Sequence, residues 1–298
     1  MKYLPFLRRK RENSMNLTIA IIAVCAIGAL CLTNIGFSGR RGLLPLIFLL
    51  GGVGCTILRT VVMATSIDPE KGFYLDTPIL TVFNVVIVTV LVALVLVAVF
   101  TRKSAALQPT AGILFSNISS LFGIIGFALA IVYCFERLRT ESKIDLAVAA
   151  MLFCALVALI ALLLTLSPIE RKLSREASLV FLGPVLFAAV HLVSSFIEHI
   201  TVASVSEYLY DVGMLIFIVL FFFYDAKCRL TDRQNPVMLR VFSLGSVIFI
   251  MIACLPKLWF TVTDAAVFSE SFNLLYGCYL LLLPYLIRRS CNVGRKTA

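Results

Sequence analysis

Apolar residues along this chain come in runs of about twenty, separated by short intervals that collect the charge, Gly and Pro. The run from Thr81 to Phe100 has no ionisable side chain, and the stretch from Ile144 to Pro168 has only Asp145. Such runs can bury themselves only in lipid or against one another. Nine segments are predicted, at about 17–37, 43–65, 78–100, 111–134, 144–166, 178–200, 205–224, 237–256 and 268–287. Each is close to the length a helix needs to cross about 30 Å of hydrocarbon. Val and Ile are abundant, but in lipid each backbone N–H must be satisfied within its own segment, which selects helix. The alternating polarity of a membrane β-barrel is absent. The expected fold is all-α: a polytopic transmembrane helix bundle of eight core helices plus an N-terminal hydrophobic segment whose spanning stays open. Residues 1–42 form a basic tail and that extra segment, 43–290 the bundle, and 291–298 a short cytoplasmic tail.

Composition narrows this further. Of 298 residues, 61% are hydrophobic and 14% charged, against about 25% charged in a soluble domain. No sizeable water-soluble domain is therefore expected. The net charge of +10 reads as basic loops held on the cytoplasmic face and touching anionic headgroups, not as a nucleic-acid footprint. Nine cysteines fall mostly inside apolar runs with no C-x-x-C pair. They read as small apolar packing residues, with neither a disulfide framework nor a zinc site.

Lys and Arg divide unevenly between the two sets of segment ends. One set holds Arg102, Lys103, Arg171, Lys172, Arg229, Arg240, Arg288 and Arg289 among others, and the other only Lys71, Arg137, Arg139, Lys143 and Lys257. The positive-inside rule then places the protein in the cell membrane with its C-terminus cytoplasmic. Nine spans would put the N-terminus outside, although Arg8, Arg9, Lys10 and Arg11 favour the inside. Three resolutions are open: the first segment does not span, later loops overrule the tail, or translation starts at Met15. A cleaved signal peptide is disfavoured by the long apolar run.

The stretch from Leu43 to Lys103 reads LLPLIFLLGGVGCTILRTVV, then SIDPEKGFYLDT, then a Val/Leu helix ending in Thr101, Arg102 and Lys103. It resembles the opening of a loose group of uncharacterised multi-pass membrane proteins of anaerobic Gram-positive bacteria. Arg59, Asp68 and Gly72 would match that group's Arg near a helix end followed by Asp and Gly in a loop. The group carries no assigned activity, so the resemblance implies a multi-pass fold and transfers no functional residue. The segment before Leu43 is an addition to that pattern.

Ionisable groups within hydrocarbon cost about 2.5–3.5 kcal/mol or more and mark functional candidates. Arg59 either snorkels to the interface or joins a buried ion pair or anion contact. Gly51, Cys55 and Arg59, at i, i+4 and i+8, suggest a face of small residues leading to a cation. His191 and Glu198 lie two helical turns apart with Ser195 between them: either a proton relay through Ser195 or water, or a histidine making one interhelical hydrogen bond with Glu198 already at the headgroups. Glu207 and Asp211 form a carboxylate pair at one helix start, either a solvated end or a carrier of a proton or cation. Glu270 and Asn273 lie on a stripe with Gly277 and Pro284 that marks helix packing or a cavity wall. Ser116, Ser119, Ser120 and Gly123 read as packing glue, and Asn84 as an amide bonded to a neighbour. Lys257, close to Trp259 and Phe260, reads as an interfacial anchor.

These groups gather toward the outer halves of the helices, leaving the cytoplasmic halves plainer, which suggests a polar pocket open to the outside. No P-loop, H-E-x-x-H, G-x-S-x-G or dinucleotide fingerprint occurs, so no catalytic residue, metal or cofactor is expected. The leading expectation is a transporter, or a ligand-binding membrane subunit, for a small polar solute or ion. The alternatives are a non-transporting component (sensor, assembly factor or partner of another membrane subunit) and an intramembrane enzyme acting on lipids. The expected partners are the lipid bilayer, another membrane subunit and a small polar solute or ion, with no nucleic acid.

Overall fold

The computed structural model describes residues 27–33, 35–36, 39, 42–66, 75, 77–101, 105–107, 113–140, 145–166, 177–199, 205–230, 235–263 and 272–295. The side chains of 105–107, 113–114, 177, 198–199, 205–207 and 294–295 are outside that description. Long helices dominate: α1 (Leu43–Thr65), α2 (Pro78–Thr101), α3 (Ile113–Thr140), α4 (Leu146–Leu163), α5 (Leu182–His199), α6 (Val205–Leu230), α7 (Pro236–Thr263) and α8 (Leu274–Cys291). A 3-10 turn, Ala177–Phe181, leads into α5. Strands β1 (Ala105–Leu107) and β2 (Val293–Arg295) pair antiparallel and tie the α2–α3 connection to the end of α8.

The helices α1 to α7 each contain a stretch long and apolar enough to cross a membrane. This is a multi-pass membrane protein. The 18-residue α8 ends in Arg288, Arg289, Ser290 and Cys291 and completes the bundle. Asp145 caps α4 by accepting from Ala147 N, and Asn273 caps α8 by accepting from Leu275 N and Tyr276 N. Each cap satisfies N–H groups that the first turn leaves without an intrahelical partner. The Asn273 cap also moves the start of the last helix from the expected 268 to 274.

Six helices close a ring in chain order, α3 through α8, with α8 packed back against α3. The pair α1–α2 lies outside this ring, against α7. This explains a contrast that hydropathy does not: 89% of the spanning window of α7 is buried, against 11% for the more apolar α2. α7 is the shared wall of two layers, and α2 presents most of its Val and Leu side chains outward. Residues 27–33 are helical, with Ile27 and Cys31 in the main core. Together with α1, α7 and α8 they line a half-open apolar cavity of about 300 Å³. The open question of whether 17–37 spans falls largely on residues outside the described ones.

The face of α1 that meets α7 carries Phe48, Gly52, Cys55, Arg59 and Val62. Gly51, expected there, is exposed, with nothing within 4 Å of a Cβ added to it. The cause is helical drift. At about 100° per residue, eight residues from Gly51 leave Arg59 about 80° away, whereas seven from Gly52 leave it about 20° away. Closer approaches occur where α3 meets α8 and α5 meets α4. A Cβ on Gly126 would stand 2.9 Å from Cys278 O, and one on Gly183 2.9 Å from Ala158 N. Backbone cannot yield as a side chain can, so Gly126→Ala and Gly183→Ala should each cost about 1–3 kcal/mol. Thermal denaturation in lipid nanodiscs tests this, with Gly51→Ala expected to melt at or above wild type.

Candidate functional site

The up-and-down course of the bundle gathers polar groups at two levels. At one level, α6 supplies Asp211, α7 supplies Lys257 and α8 supplies Tyr276. Lys257 Nζ donates to Asp211 Oδ2 at 2.5 Å and to Tyr276 Oη at 2.6 Å, and Tyr276 Oη donates to Asp211 Oδ2 at 3.3 Å. Both ion-pair side chains are buried, at 8% and 6% exposure. Lys257 is therefore not the interfacial anchor expected beside Trp259. It is folded inward because a carboxylate on the facing helix offers the counter-charge that a buried ammonium needs. Asp211 Oδ1 is also buried but accepts no hydrogen bond.

One turn along α8, Tyr279 Oη lies 2.5 Å from His191 Nδ1 of α5, with the two ring planes within 4° of parallel. Tyr276 and Tyr279 are i and i+3 neighbours on α8. His191 with Tyr279, and Tyr276 with Lys257 and Asp211, thus place titratable side chains on two adjoining turns of α8. Cys254 Sγ approaches Met214 Sδ at 3.6 Å one turn from the ion pair on both helices. The nearby wall is accordingly soft and apolar.

Arg59 lies apart from this group. Its guanidinium carbon sits 3.8 Å from the ring centroid of Tyr210 on α6, and Tyr210 Oη donates to Asn84 Oδ1 on α2 at 3.3 Å. Arg59 is 1% exposed, so it does not snorkel in this bundle. Ser195 is buried on α5, and Asn273 serves as the helix cap described above. Asp211 and His191 are thus brought to the same helix, α8, through two different tyrosines. The Glu198 and Glu207 side chains lie outside the described residues, as does all of Glu270.

The opposite level was expected to be plain and is instead rich in buried charge. Asp225 of α6 pairs with Arg289 of α8, contacts Arg229 Nε at 3.4 Å and accepts from Tyr285 Oη at 2.9 Å. Arg229 also stacks on Phe181 at 4.1 Å. Arg288 Nη1 reaches across to α3, donating to Ser116 O at 2.7 Å and to Ser120 Oγ at 2.9 Å, while Thr165 Oγ1 donates to Ser120 Oγ at 2.8 Å. Arg240 of α7 donates to the carbonyls of Ser290 and Val293. The serine stripe is packing glue, as expected, and also a seat for arginine.

Apolar-run boundaries concealed this level. They end the segments at 224 and 287, whereas α6 and α8 continue for another turn because Lys and Arg are good helix formers. The signal that could have found it is the i, i+4 spacing of Asp225 with Arg229 and of Tyr285 with Arg289. Among the described residues, no group of three or more His, Cys, Asp or Glu side chains could hold a metal ion, and the eight described cysteines are buried and unbridged. No family model matches the chain, and neither a curated protein nor a solved structure was found to be similar to it.

Proposed function

We propose that this protein is a transporter, or a ligand-binding membrane subunit, for a small polar solute or ion. The observation that carries the reading is the Asp211–Lys257–Tyr276 cluster, with Asp211 Oδ1 buried and accepting nothing. A buried carboxylate oxygen without a donor is unfavourable, and a solute N–H or O–H, or a cation, would satisfy it. His191 and Tyr279 extend the cluster by one turn with groups able to pass a proton. On this reading the bundle sits in the cell membrane with its C-terminus cytoplasmic, which the gathering of Arg229, Arg240, Arg288 and Arg289 at one level supports.

His191→Phe separates proton movement from packing, because Phe keeps a flat ring beside Tyr279 and removes the titratable nitrogen. Purified protein in vesicles loaded with a pH-sensitive dye, under an imposed proton gradient, should acidify the lumen. His191→Phe should reduce the rate at least about tenfold, within the range for losing a positioned acid–base group, and should cost about 1–3 kcal/mol of stability because Tyr279 Oη is left buried without its partner, so rates are compared per folded protein. Wild-type rates equal to those of protein-free vesicles, or a variant as fast as wild type, would remove proton coupling from the reading.

A further inference from the structure

We infer that Arg59 holds an oxyanion, a carboxylate or phosphate group, on the edge of its guanidinium. The inference deepens the proposed function by naming a ligand class, and rests on it only for the idea that the anion is transported. Arg59 is 1% exposed, and neither Nε nor Nη2 reaches a hydrogen-bond acceptor. No described carboxylate lies within ion-pair distance of it. The contrast within the same chain is informative: Lys257, Arg229 and Arg289 each have a carboxylate within reach. Removing a guanidinium from water without a counter-charge is strongly unfavourable.

The geometry selects the ligand. Tyr210 covers one face of the guanidinium, with the ring centroid 3.8 Å from its central carbon. This cation–π contact contributes attraction without using an N–H. The two donors that reach no acceptor, Nε–H and Nη2–H, are parallel neighbours on one edge of the plane. That edge is the fork that takes both oxygens of a carboxylate or two of a phosphate. Chloride, a single point acceptor, cannot fill both donors linearly. Tyr210 is itself held by Asn84 and packed against Phe83, so the fork is positioned before a ligand arrives.

The test uses full-length protein in neutral phosphatidylcholine nanodiscs, with ionic strength held by sodium chloride. Melting is followed as inorganic phosphate or succinate is titrated in, and again in discs containing phosphatidylglycerol. A saturable rise with either soluble anion, lost in Arg59→Met and weakened at least about tenfold in Arg59→Lys, supports the site and assigns it to a free solute. A rise only with phosphatidylglycerol, also lost in Arg59→Met, supports the site and assigns the oxyanion to a lipid headgroup. No rise under any condition, or the same rise in wild type and Arg59→Met, overturns it. Should Arg59→Met fail to fold, Arg59→Lys decides, because a lysine keeps the charge but lacks the fork: an undiminished response then overturns the inference. His191→Phe should bind as wild type does, so a failure of proton coupling leaves this result standing.

Discussion

Neutralising either partner of the Asp211–Lys257 pair alone should cost about 3–5 kcal/mol, because each change leaves one charge buried and unmatched. Asp211→Asn and Lys257→Met are each expected to lower the melting temperature in nanodiscs by on the order of 10 °C. The double variant Asp211→Asn/Lys257→Met should recover most of that loss, since an uncharged pair has no such penalty. This recovery makes the double variant the decisive functional probe. Loss of abundance in Asp211→Asn says nothing about transport, because Lys257 is stranded in it. A double variant that is stable but has lost solute or proton movement assigns the pair a working role. One that is both stable and active makes the pair a packing device and favours a non-transporting membrane component. Single variants that melt within about 1 °C of wild type would show that the pair is not desolvated as its 8% and 6% exposures require.

A larger effect is expected at Asp225. Removing its charge leaves Arg229 and Arg289 facing one another at a buried site and takes away the acceptor of Tyr285 Oη. Asp225→Ala should therefore cost about 3–5 kcal/mol or more and leave little folded protein after extraction. Arg229→Gln should cost much less. Its contact to Asp225 is the longer one, at 3.4 Å within one helix, and Arg289 still supplies a counter-charge. Yield by size-exclusion chromatography and melting in nanodiscs measure both. If Asp225→Ala proved as stable as wild type, this level would not be the structural clamp joining α6 to α8.

The two levels differ in a way that bears on their roles. Around Asp225, the arginines are tied to carbonyls, a serine, a tyrosine and the carboxylate, and Arg240 and Arg288 knit α7, α3 and α8 together. Such a network suits a fixed closure of one end, reinforced by the β1–β2 ladder. At the Lys257 level the carboxylate has a single cation, and Asp211 Oδ1 accepts nothing. Unbonded buried atoms occur at the Asp225 level as well, at Arg289 Nε and Ser290 Oγ, so what separates the two ends is that two arginines share the Asp225 carboxylate and further arginines cross-link the helices around it.

The sequence by itself determined that the chain is a bundle of membrane-crossing helices and where most of them lie. That information is local: an uncharged run of about twenty residues can satisfy its backbone in lipid only as a helix. It also marked Arg59, His191 and Asp211 as costly to bury. The partners of these residues were not legible. Lys257 looked like an anchor because only the meeting of α6 with α7 brings Asp211, 46 residues away, within 2.5 Å. Arg289 counted only as one of the basic groups at a helix end, and its pairing with Asp225 appears only where their side chains meet across the ring. Hydropathy could not rank α2 below α7 in burial either, because lipid and protein interiors attract the same side chains. Which helices neighbour one another was decided by close backbone approach at Gly126 and Gly183 and by charge pairing across the ring, and both exist only once the helices have assembled.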